Sequence, residues 1–347
     1  MSEAFPFQMD HHYGYDFGEW GSAPRKPLIE CDMAHRGELM DSVIGPDVVT
    51  GKPTVYHIVR CELCIATHVW PLPPPESLAQ YYEREFYQTD KPDMITRYER
   101  DADWWLTCVH NPLLDACVRH GQLPHDPKLL DIGAGPGLML RAAGERDWIT
   151  RGIEPSPVCA ERLHQRNEVI YHGTLETYME SAQRRVWGLY DVLVLYETLE
   201  HCPCPEETLL HCYDLLAPGG MLVICVPNDF SPLQLLACEK FNLPRYWLAP
   251  PQHLFYFTPK TLQLLVRRCG FTICEMRGTY PLERFMLADD ICYVGNDKLG
   301  RRCHETRMQY EHTFFAEGRW DELEAEYRAN ITQRIGREIV CVAKKVA

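Results

Sequence analysis

The stretch Lys128-Leu-Leu-Asp-Ile-Gly-Ala-Gly-Pro-Gly137 decides the fold of this chain. Its residues Leu129, Leu130 and Ile132 form a short apolar run, which is typical of a strand buried on both faces. Three glycines at alternate positions follow, and the residues from Leu138 onward predict a helix. A strand, a glycine-rich turn and a helix begin a nucleotide-binding α/β unit, in which the missing Cβ atoms let the backbone approach a ligand.

The spacing of the glycines indicates which ligand this is. In the dinucleotide-binding fingerprint the third glycine stands five residues after the first. Here that position is Leu138, and the third glycine, Gly137, comes one residue early. This spacing, with Asp131 two residues before the first glycine, resembles motif I of class I S-adenosylmethionine (SAM) methyltransferases. The resemblance implies SAM as the cofactor.

Strands and helices alternate after the glycine loop, which predicts a parallel sheet with helices on both faces. The second strand ends at Glu154, 21 residues after Gly133, where an acid that binds a ribose diol is expected. After the third strand, related enzymes often carry Asp where Thr174 stands, so we expect Glu176 or a backbone carbonyl to accept from the adenine amine. The residues expected to contact SAM are Asp131, Gly133, Ala134, Gly135, Gly137, Glu154, Pro155, Leu175, Glu176 and Tyr196.

The fourth strand runs into Glu197-Thr-Leu-Glu-His201, and a helix, Leu216-Ala-Pro-Gly-Gly220 and another apolar strand follow. This order resembles class I methyltransferases over about residues 55–275, and most nearly the ubiquinone-biosynthesis O-methyltransferase type. The resemblance implies an α/β, Rossmann-like, doubly wound fold with a mostly parallel seven-stranded sheet. An N-terminal Cys-x-x-Cys hairpin with a helical extension and a helical insertion before the last strand are expected to complete it.

Three residues after the fourth strand are candidates for catalysis. Methyl transfer is an in-line displacement, so the protein aligns the reactants and supplies a base if the acceptor carries a proton. Glu197, Glu200 and His201 are the base candidates, and a histidine titrating near 6.5 suits an O–H or N–H acceptor best. We expect Glu200 to raise the pKa of His201. Capping of the next helix is the alternative role of Glu200 or His201.

Metal ions remain an open question at two places. Relatives of the ubiquinone type bind a divalent cation through the Glu-x-x-Glu-His spacing, although the broader group has this spacing without metal. Residues 55–70 predict two strands joined at Cys61-x-x-Cys64, a weak zinc signal. His57 and His68 each lie four residues from the nearer cysteine, about 13 Å along a strand, which is too far to share a metal with it. A four-ligand site would need Cys31 and His35, so a bare hairpin is favoured slightly.

The chain divides into an N-terminal arm (1–54), the hairpin with a helical cap (55–127) and the SAM-binding core (128–347). The core contains a lid segment (229–257) and a helical insertion (280–335). A basic cluster within the insertion could clamp a phosphate or carboxylate of an anionic acceptor, although pairing with nearby acids is favoured. The residues expected to cover the substrate are Tyr87, Trp247, His253, Tyr256 and Arg301.

Composition limits the functions further. Acids exceed bases by 14 charges, which disfavours nucleic acid and anionic membranes as partners. No signal peptide or membrane-spanning apolar run is visible, and most of the 16 cysteines lie singly in apolar runs, so we expect a reduced, cytoplasmic protein. We therefore predict a SAM-dependent methyltransferase acting on an oxygen or nitrogen, less probably a carbon, of a small molecule. An NAD-dependent oxidoreductase and a non-enzymatic SAM-binding or zinc-hairpin interaction module are the alternatives, and the acceptor and oligomeric state stay open.

Overall fold

The computed structural model describes residues 28–30, 36–61, 63–64, 66–84, 86–87 and 91–346. Its N-terminal part begins with strands and continues with helices. The strands are β1 (Leu28–Glu30), β2 (Arg36–Pro46), β3 (Pro53–Cys61) and β4 (Ala66–Trp70). The helices are α1 (Pro75–Arg84), α2 (Met94–Arg100), α3 (Ala102–Trp104), a π-helical turn (Trp105–His110) and α4 (Asn111–His120).

The remainder of the chain alternates strands and helices as the sequence predicts. The elements up to the fourth core strand are β5 (Lys128–Ile132), α5 (Leu138–Gly144), β6 (Ile149–Glu154), α6 (Pro157–Gln165), β7 (Ile170–His172), α7 (Leu175–Glu180), α8 (Ala182–Trp187) and β8 (Tyr190–Tyr196). A 3-10 turn (Leu199–His201), α9 (Pro205–Leu215), β9 (Leu216–Pro227), α10 (Pro232–Phe241), β10 (Phe255–Tyr256), α11 (Pro259–Arg268) and β11 (Phe271–Gly278) follow. The chain ends with α12 (Glu283–Ala288), α13 (Asp297–Ala316), α14 (Trp320–Gln333) and β12 (Glu338–Lys345).

The predicted seven-stranded sheet is confirmed, with strand order β11-β12-β9-β8-β5-β6-β7. β12 is antiparallel to both of its neighbours, and the other pairs are parallel. Both faces are buried, because alternate residues of β8 enter different apolar layers. Leu193 and Leu195 belong to one layer, and Val192 and Val194 belong to the other. Burial on both faces explains why this strand is a continuous apolar run in the sequence.

Three helices of the core begin with the same local signal. Ser156, Ser231 and Thr258 each cap a helix through a hydroxyl that accepts from a backbone N–H, and each is followed by proline. The hydroxyl satisfies one free N–H of the first turn, and the proline has no N–H that would need a partner. These pairs fix where α6, α10 and α11 leave the strands and loops before them.

The N-terminal strands form a second sheet, with strand order β1-β2-β3-β4-β10. Residues 36–46, which the sequence analysis grouped with the arm, therefore belong to this sheet, paired with β3. The segment 229–257, predicted as a lid, supplies β10, which pairs with β4. Tyr56 and Val69 of this sheet share an apolar layer with the larger sheet. Cys31 and His35 lie outside the described residues.

Helices α12, α13 and α14 form the insertion between the last two strands. The two ends of the insertion meet at Gly278 and Gly336. A Cβ on Gly336 would lie 2.4 Å from the Cα of Gly278, so glycine is needed at position 336. A buried ion pair fixes α14 to β11: Arg277 Nη1 lies 2.7 Å from Glu324 Oε1, and the two side chains are 4% and 2% exposed. No helix in the described part of the chain is long and apolar enough to cross a membrane.

The buried ion pair generates a stability prediction. Arg277→Met should lower the free energy of unfolding by about 3–5 kcal/mol, because the buried Glu324 loses its nearest partner and the buried Glu275 loses one of its partners. Arg328→Met is the matched control, since Arg328 contacts the same Glu324 at 3.4 Å from a position 45% exposed. The control should cost about 1 kcal/mol or less. Urea denaturation measures both, and equal losses in the two variants would contradict this account of the insertion.

Candidate functional site

The glycine loop after β5 adopts a conformation that favours glycine at three positions. The φ angles of Gly133, Gly135 and Gly137 are 77°, 49° and 80°, in the left-handed region. A Cβ on Gly133 would also lie 2.6 Å from Thr198 Oγ1, which follows β8. That hydroxyl donates to the Ile132 carbonyl at 3.0 Å. The loop is therefore held against the end of the fourth core strand.

Glu154 holds the same loop from the other side. Its two carboxyl oxygens accept from the N–H groups of Gly135 and Ser156, each at 2.7 Å. Burial raises the pKa of Glu154 to about 7, although these two hydrogen bonds oppose that shift. Burial, and then the neighbouring Glu154, raise the pKa of Asp131 to about 8. Each oxygen of Glu154 keeps a lone pair for a further donor, so the predicted contact with a ribose diol stays a prediction.

Tyr87, predicted to cover the substrate, lies at the glycine loop. A Cβ on Gly135 would stand 3.2 Å from its hydroxyl. Its ring packs edge-on against Phe86, with ring centroids 4.9 Å apart. The segment after α1 thus lies over the loop expected to hold SAM, and Tyr87 is better placed to contact the cofactor than a methyl acceptor.

The other predicted cofactor residues have different environments. Ala134 and Leu175 are buried, whereas Glu176 is exposed in the first turn of α7. Thr174, where related enzymes often carry Asp, caps α7 by accepting from the Thr177 N–H. The Pro155 carbonyl lies 3.2 Å from His172 Nε2. These positions follow β6 and β7, at the edge of the sheet that carries the glycine loop.

His201 is half-buried between the α1 helix and the predicted lid segment. Its Nδ1 lies 2.6 Å from the Gln252 carbonyl oxygen, which can only accept, so Nδ1 carries the proton. The Tyr82 hydroxyl lies 2.9 Å from Nδ1 and 3.2 Å from the same carbonyl. Burial lowers the pKa of His201 to about 4. The expected titration near 6.5 is therefore wrong, because the sequence did not show that three segments close over this ring.

Glu200 does not raise the pKa of His201 as the sequence analysis expected. Its side chain is 1% exposed, and burial followed by the nearby Glu197 raises the pKa of Glu200 well above the ordinary range. A carboxyl that keeps its proton has no negative charge with which to stabilise an imidazolium. The helix-capping alternative is not supported either, because Cys204 occupies the N-cap position before α9 and no side chain caps the helix there.

His253 of the lid segment joins Glu200 and His201. The rings of His201 and His253 are 5.0 Å apart between centroids. One ligand atom of each of these three residues lies within 4.8 Å of the others, so the set could hold a divalent cation. Sequence reasoning placed His253 in the lid but could not foresee this meeting, which depends on β10 pairing with β4. The other predicted lid residues, Trp247 and Tyr256, pack within the apolar layer instead.

A cavity of about 790 Å³ opens between the helical cap, the end of β8 and the insertion. Aromatic side chains form much of its wall: Tyr98, Trp104, Trp105, Tyr196, Tyr246, Tyr293, Trp320 and Tyr327. Charged side chains lie between them: Arg97, Arg100, Asp101, Glu197, Arg277, Asp297, Arg301, Arg307, Glu311, Arg337 and Glu338. Among the predicted site residues, Tyr196, Glu197 and Arg301 reach this cavity.

Glu197 is the predicted catalytic residue that lines the cavity. Its φ is 49°, an uncommon value for a residue other than glycine. The Tyr98 hydroxyl donates to Glu197 Oε2 at 3.0 Å, and the Tyr98 ring stacks on Trp105. Burial, and then the nearby Glu338, raise the pKa of Glu197. The sequence carried no signal for Tyr98 at this position.

The guanidinium of Arg301 is already paired with acids of the protein, so it does not offer an unpaired charge to the cavity. Its guanidinium donates to both carboxyl oxygens of Asp101 on the helical cap, and its Nε donates to Glu305. It therefore joins the insertion to the cap. Arg307, in the same basic cluster, is the buried cation: it lies 4.7 Å over the Trp104 ring and 3.7 Å from Glu338.

Known proteins resemble the chain over this region. A family model described as a methyltransferase domain matches residues 108–276. A ubiquinone biosynthesis O-methyltransferase of Saccharophagus degradans is 28% identical over 196 residues, 53% of this chain and 83% of that protein. One of Pseudomonas aeruginosa is 29% identical over 171 residues, 47% of this chain and 74% of that protein.

The chain is a SAM-dependent methyltransferase, and these matches support class I. SAM is its cofactor, and the NAD-dependent alternative is not supported. A solved SAM-dependent methyltransferase of Archaeoglobus fulgidus is 18% identical, with a TM-score of 0.44 over 68% of this chain and 92% of that one. In this methyltransferase, the left-handed glycines, the buried acid at the end of β6 and the covering Tyr87 fit a nucleoside cofactor on the edge of the sheet.

The state of Glu154 generates a pH prediction for SAM binding. Ribose hydroxyls bind best to the ionised carboxylate, whose pKa in the free protein is about 7. Binding should therefore release a proton, and affinity for SAM should rise about tenfold between pH 6 and pH 8. Calorimetry at the two pH values measures this, and it should show lower affinity and no such rise in Glu154→Gln. The control Glu176→Gln, exposed on α7, should keep the wild-type rise. Equal wild-type affinity at both pH values would contradict the role of Glu154.

Proposed function

We propose that this methyltransferase transfers the methyl group of SAM to a hydroxyl oxygen of a small aromatic molecule bound in the cavity. The observation that carries the proposal is the position of Glu197. It lines the cavity, and the next residue, Thr198, packs on Gly133 of the glycine loop. An acceptor in the cavity would therefore lie next to the cofactor, with a half-buried carboxyl beside it.

The walls of the cavity favour a flat, aromatic acceptor. Its volume, about 790 Å³, suits a small molecule rather than a macromolecular segment. Trp105 stacks on Tyr98 with ring centroids 4.7 Å apart, and Trp104 packs edge-on against Trp105 at the same distance. Rings held in such arrangements offer faces and edges on which a further ring packs well.

Glu197 supports a general-base role better than His201 does. An oxygen acceptor must lose its proton as the methyl group arrives in line from the sulfonium. The C–S bond breaks as the C–O bond forms, S-adenosylhomocysteine leaves, and the proton passes to the carboxylate of Glu197. His201 is not among the cavity-lining residues, and its Nδ1 already donates to Gln252. The relatives described above are O-methyltransferases, which supports oxygen as the acceptor atom.

An anionic group on the acceptor is supported by two arginines of the cavity. Arg307 Nη1 and Arg337 Nε lie 3.7 Å and 3.8 Å from the same oxygen of Glu338, longer than hydrogen bonds. Arg307 Nε has no hydrogen-bond partner among the described residues. Guanidinium groups bind carboxylates through two parallel N–H donors, so a carboxylate substituent could occupy this end of the cavity. The hydroxyl to be methylated would then lie at the other end, near Glu197.

An isotope experiment tests the acceptor class. The protein is incubated with SAM carrying a carbon-13 methyl group and with catechols or the matching anilines. We expect a methoxy carbon in the NMR spectrum of the catechol reactions and no N-methyl carbon in the aniline reactions. A catechol with a carboxylate should react with a lower KM than one with a methyl group in its place. An N-methyl product alone would contradict transfer to oxygen.

A pair of variants tests the base. Glu197→Gln should lower turnover by about 10²–10⁴ while leaving the SAM dissociation constant within about twofold of wild type. Because the base acts when deprotonated, wild-type turnover should rise with pH through the raised pKa of Glu197, and Glu197→Gln should lose that rise. His201→Ala is the comparison and should keep the pH profile. Its stability should fall by only about 0.5–1.5 kcal/mol, because the Gln252 carbonyl loses the hydrogen bond from His201 Nδ1 but keeps the one from the Tyr82 hydroxyl.

One outcome would instead assign the general-base role to His201. If His201→Ala loses as much turnover as Glu197→Gln, with SAM binding and folding intact, Glu197 is not the base. Calorimetry with SAM and thermal unfolding of each variant separate this outcome from loss of binding or structure.

A further inference from the structure

A cluster of metal-binding side chains lies in the N-terminal sheet, where methyl transfer does not use it. Cys61 ends β3, Cys64 lies in the following turn, and His68 lies on β4. One ligand atom of each lies within 4.8 Å of the others. Cys61 and His68 are 0% and 1% exposed, and Cys64 is half-buried.

The register of the hairpin explains why His68 reaches the cysteines. Measured along the strand from Cys64, four residues are too far. Across the hairpin, however, Cys61 pairs with Ala66 and Val59 pairs with His68. His68 is thus two residues along from the partner of Cys61 and on the same face, and such diagonal neighbours are about 7–8 Å apart, within reach of long side chains.

The symmetric histidine does not join the cluster. His57 pairs with Trp70 at the far end of the hairpin and stacks on its ring, with centroids 5.5 Å apart. Its Nδ1 lies 2.9 Å from the Ser42 hydroxyl oxygen on β2. The two histidines, equally spaced from the cysteines in the sequence, therefore have different surroundings.

Surrounding hydrogen bonds favour the metal-binding forms of His68 and Cys61. His68 Nδ1 lies 2.7 Å from the Val69 carbonyl oxygen, so Nδ1 carries the proton and Nε2 presents its lone pair. The Cys64 N–H donates to Cys61 Sγ at 3.4 Å, which stabilises a thiolate. Hydrogen bonds of this kind orient the ligands of protein metal sites.

We propose that Cys61, Cys64 and His68 bind a zinc ion. Two thiolates and an imidazole are the ligands zinc prefers, and a tetrahedral ion would leave one position for water or another side chain. At bonds of about 2.0–2.3 Å, tetrahedral ligand atoms stand roughly 3.5–4 Å apart. The three ligand atoms lie within 4.8 Å of one another, a bound that includes this spacing.

The zinc would stabilise the edge of the N-terminal sheet where β4 pairs with β10. The segment before β10 contacts the turn after β8, which carries Glu200 and His201. His68 pairs with Phe255 of β10, and the Val69 N–H donates to the Leu254 carbonyl at 2.9 Å. The Leu254 N–H in turn donates to the Glu200 carbonyl at 2.9 Å, and His253 packs on His201. Loss of the metal should therefore loosen the contact of residues 252–254 with the turn after β8.

Metal analysis of the full-length protein tests the inference without knowledge of the acceptor. Protein purified without chelator should contain about one zinc per chain. Cys61→Ser combined with Cys64→Ser should lose the zinc, and His68→Asn should weaken zinc binding about tenfold or more. His57→Asn is the matched control and should keep it. The metal-free wild type, titrated with cobalt(II), should develop a thiolate-to-cobalt charge-transfer band, and zinc should remove that band.

Several results would overturn the proposal. Wild-type protein with less than about a tenth of an equivalent of zinc, and no charge-transfer band with cobalt, contains no such site. This measurement needs no variant, so it decides the question even if the double cysteine variant fails to fold. Zinc retained by that double variant, or lost in His57→Asn but kept in His68→Asn, would show that the ligands are different.

Discussion

The contact between the glycine loop and the residue after β8 controls the geometry of this methyltransferase. Thr198 packs on Gly133 where a Cβ would clash, and its hydroxyl bonds the last carbonyl of β5. The chain can make this turn only because Glu197 adopts a positive φ. One close approach therefore sets both the cofactor loop and the direction of Glu197 toward the cavity, while Glu200 and His201 turn toward the N-terminal sheet.

Burial determines the protonation of the acids near the glycine loop. Asp131, Glu154, Glu197 and Glu200 lie within a short distance of the loop, and burial raises the pKa of each. Four buried acids could not all be ionised together without a large cost. SAM carries a positively charged sulfonium, and a cation placed beside such acids favours their ionised forms. We therefore expect cofactor binding and proton release to be coupled in this site.

The sequence predicted those parts that depend on neighbours along the chain. The apolar runs of β5, β8 and β9 and the glycine spacing identified the sheet and the cofactor, because strand burial and loop conformation are local properties. It failed where distant segments meet. Burial lowers the pKa of His201, and the hydrogen bond to Gln252 opposes that shift. The residues that contact the ring, Tyr82 and Gln252, lie far before and far after it in the chain. His68 was judged by distance along its strand, whereas the register across the hairpin decides the contact.

The cavity is another feature that depends on segments distant in the sequence, and it is where the acceptor is proposed to bind. Its wall combines residues of the core strands with two segments outside the repeating core, the helical cap and the insertion. Polar contacts join them: Arg301 to Asp101, and Trp104 Nε1 to Glu311 at 2.6 Å. The ion pair between Arg277 and Glu324 joins the insertion to the larger sheet. Because the cofactor loop lies on the core and most of the aromatic wall on the cap and insertion, we expect changes in those two segments to alter the proposed acceptor while leaving the binding of SAM intact.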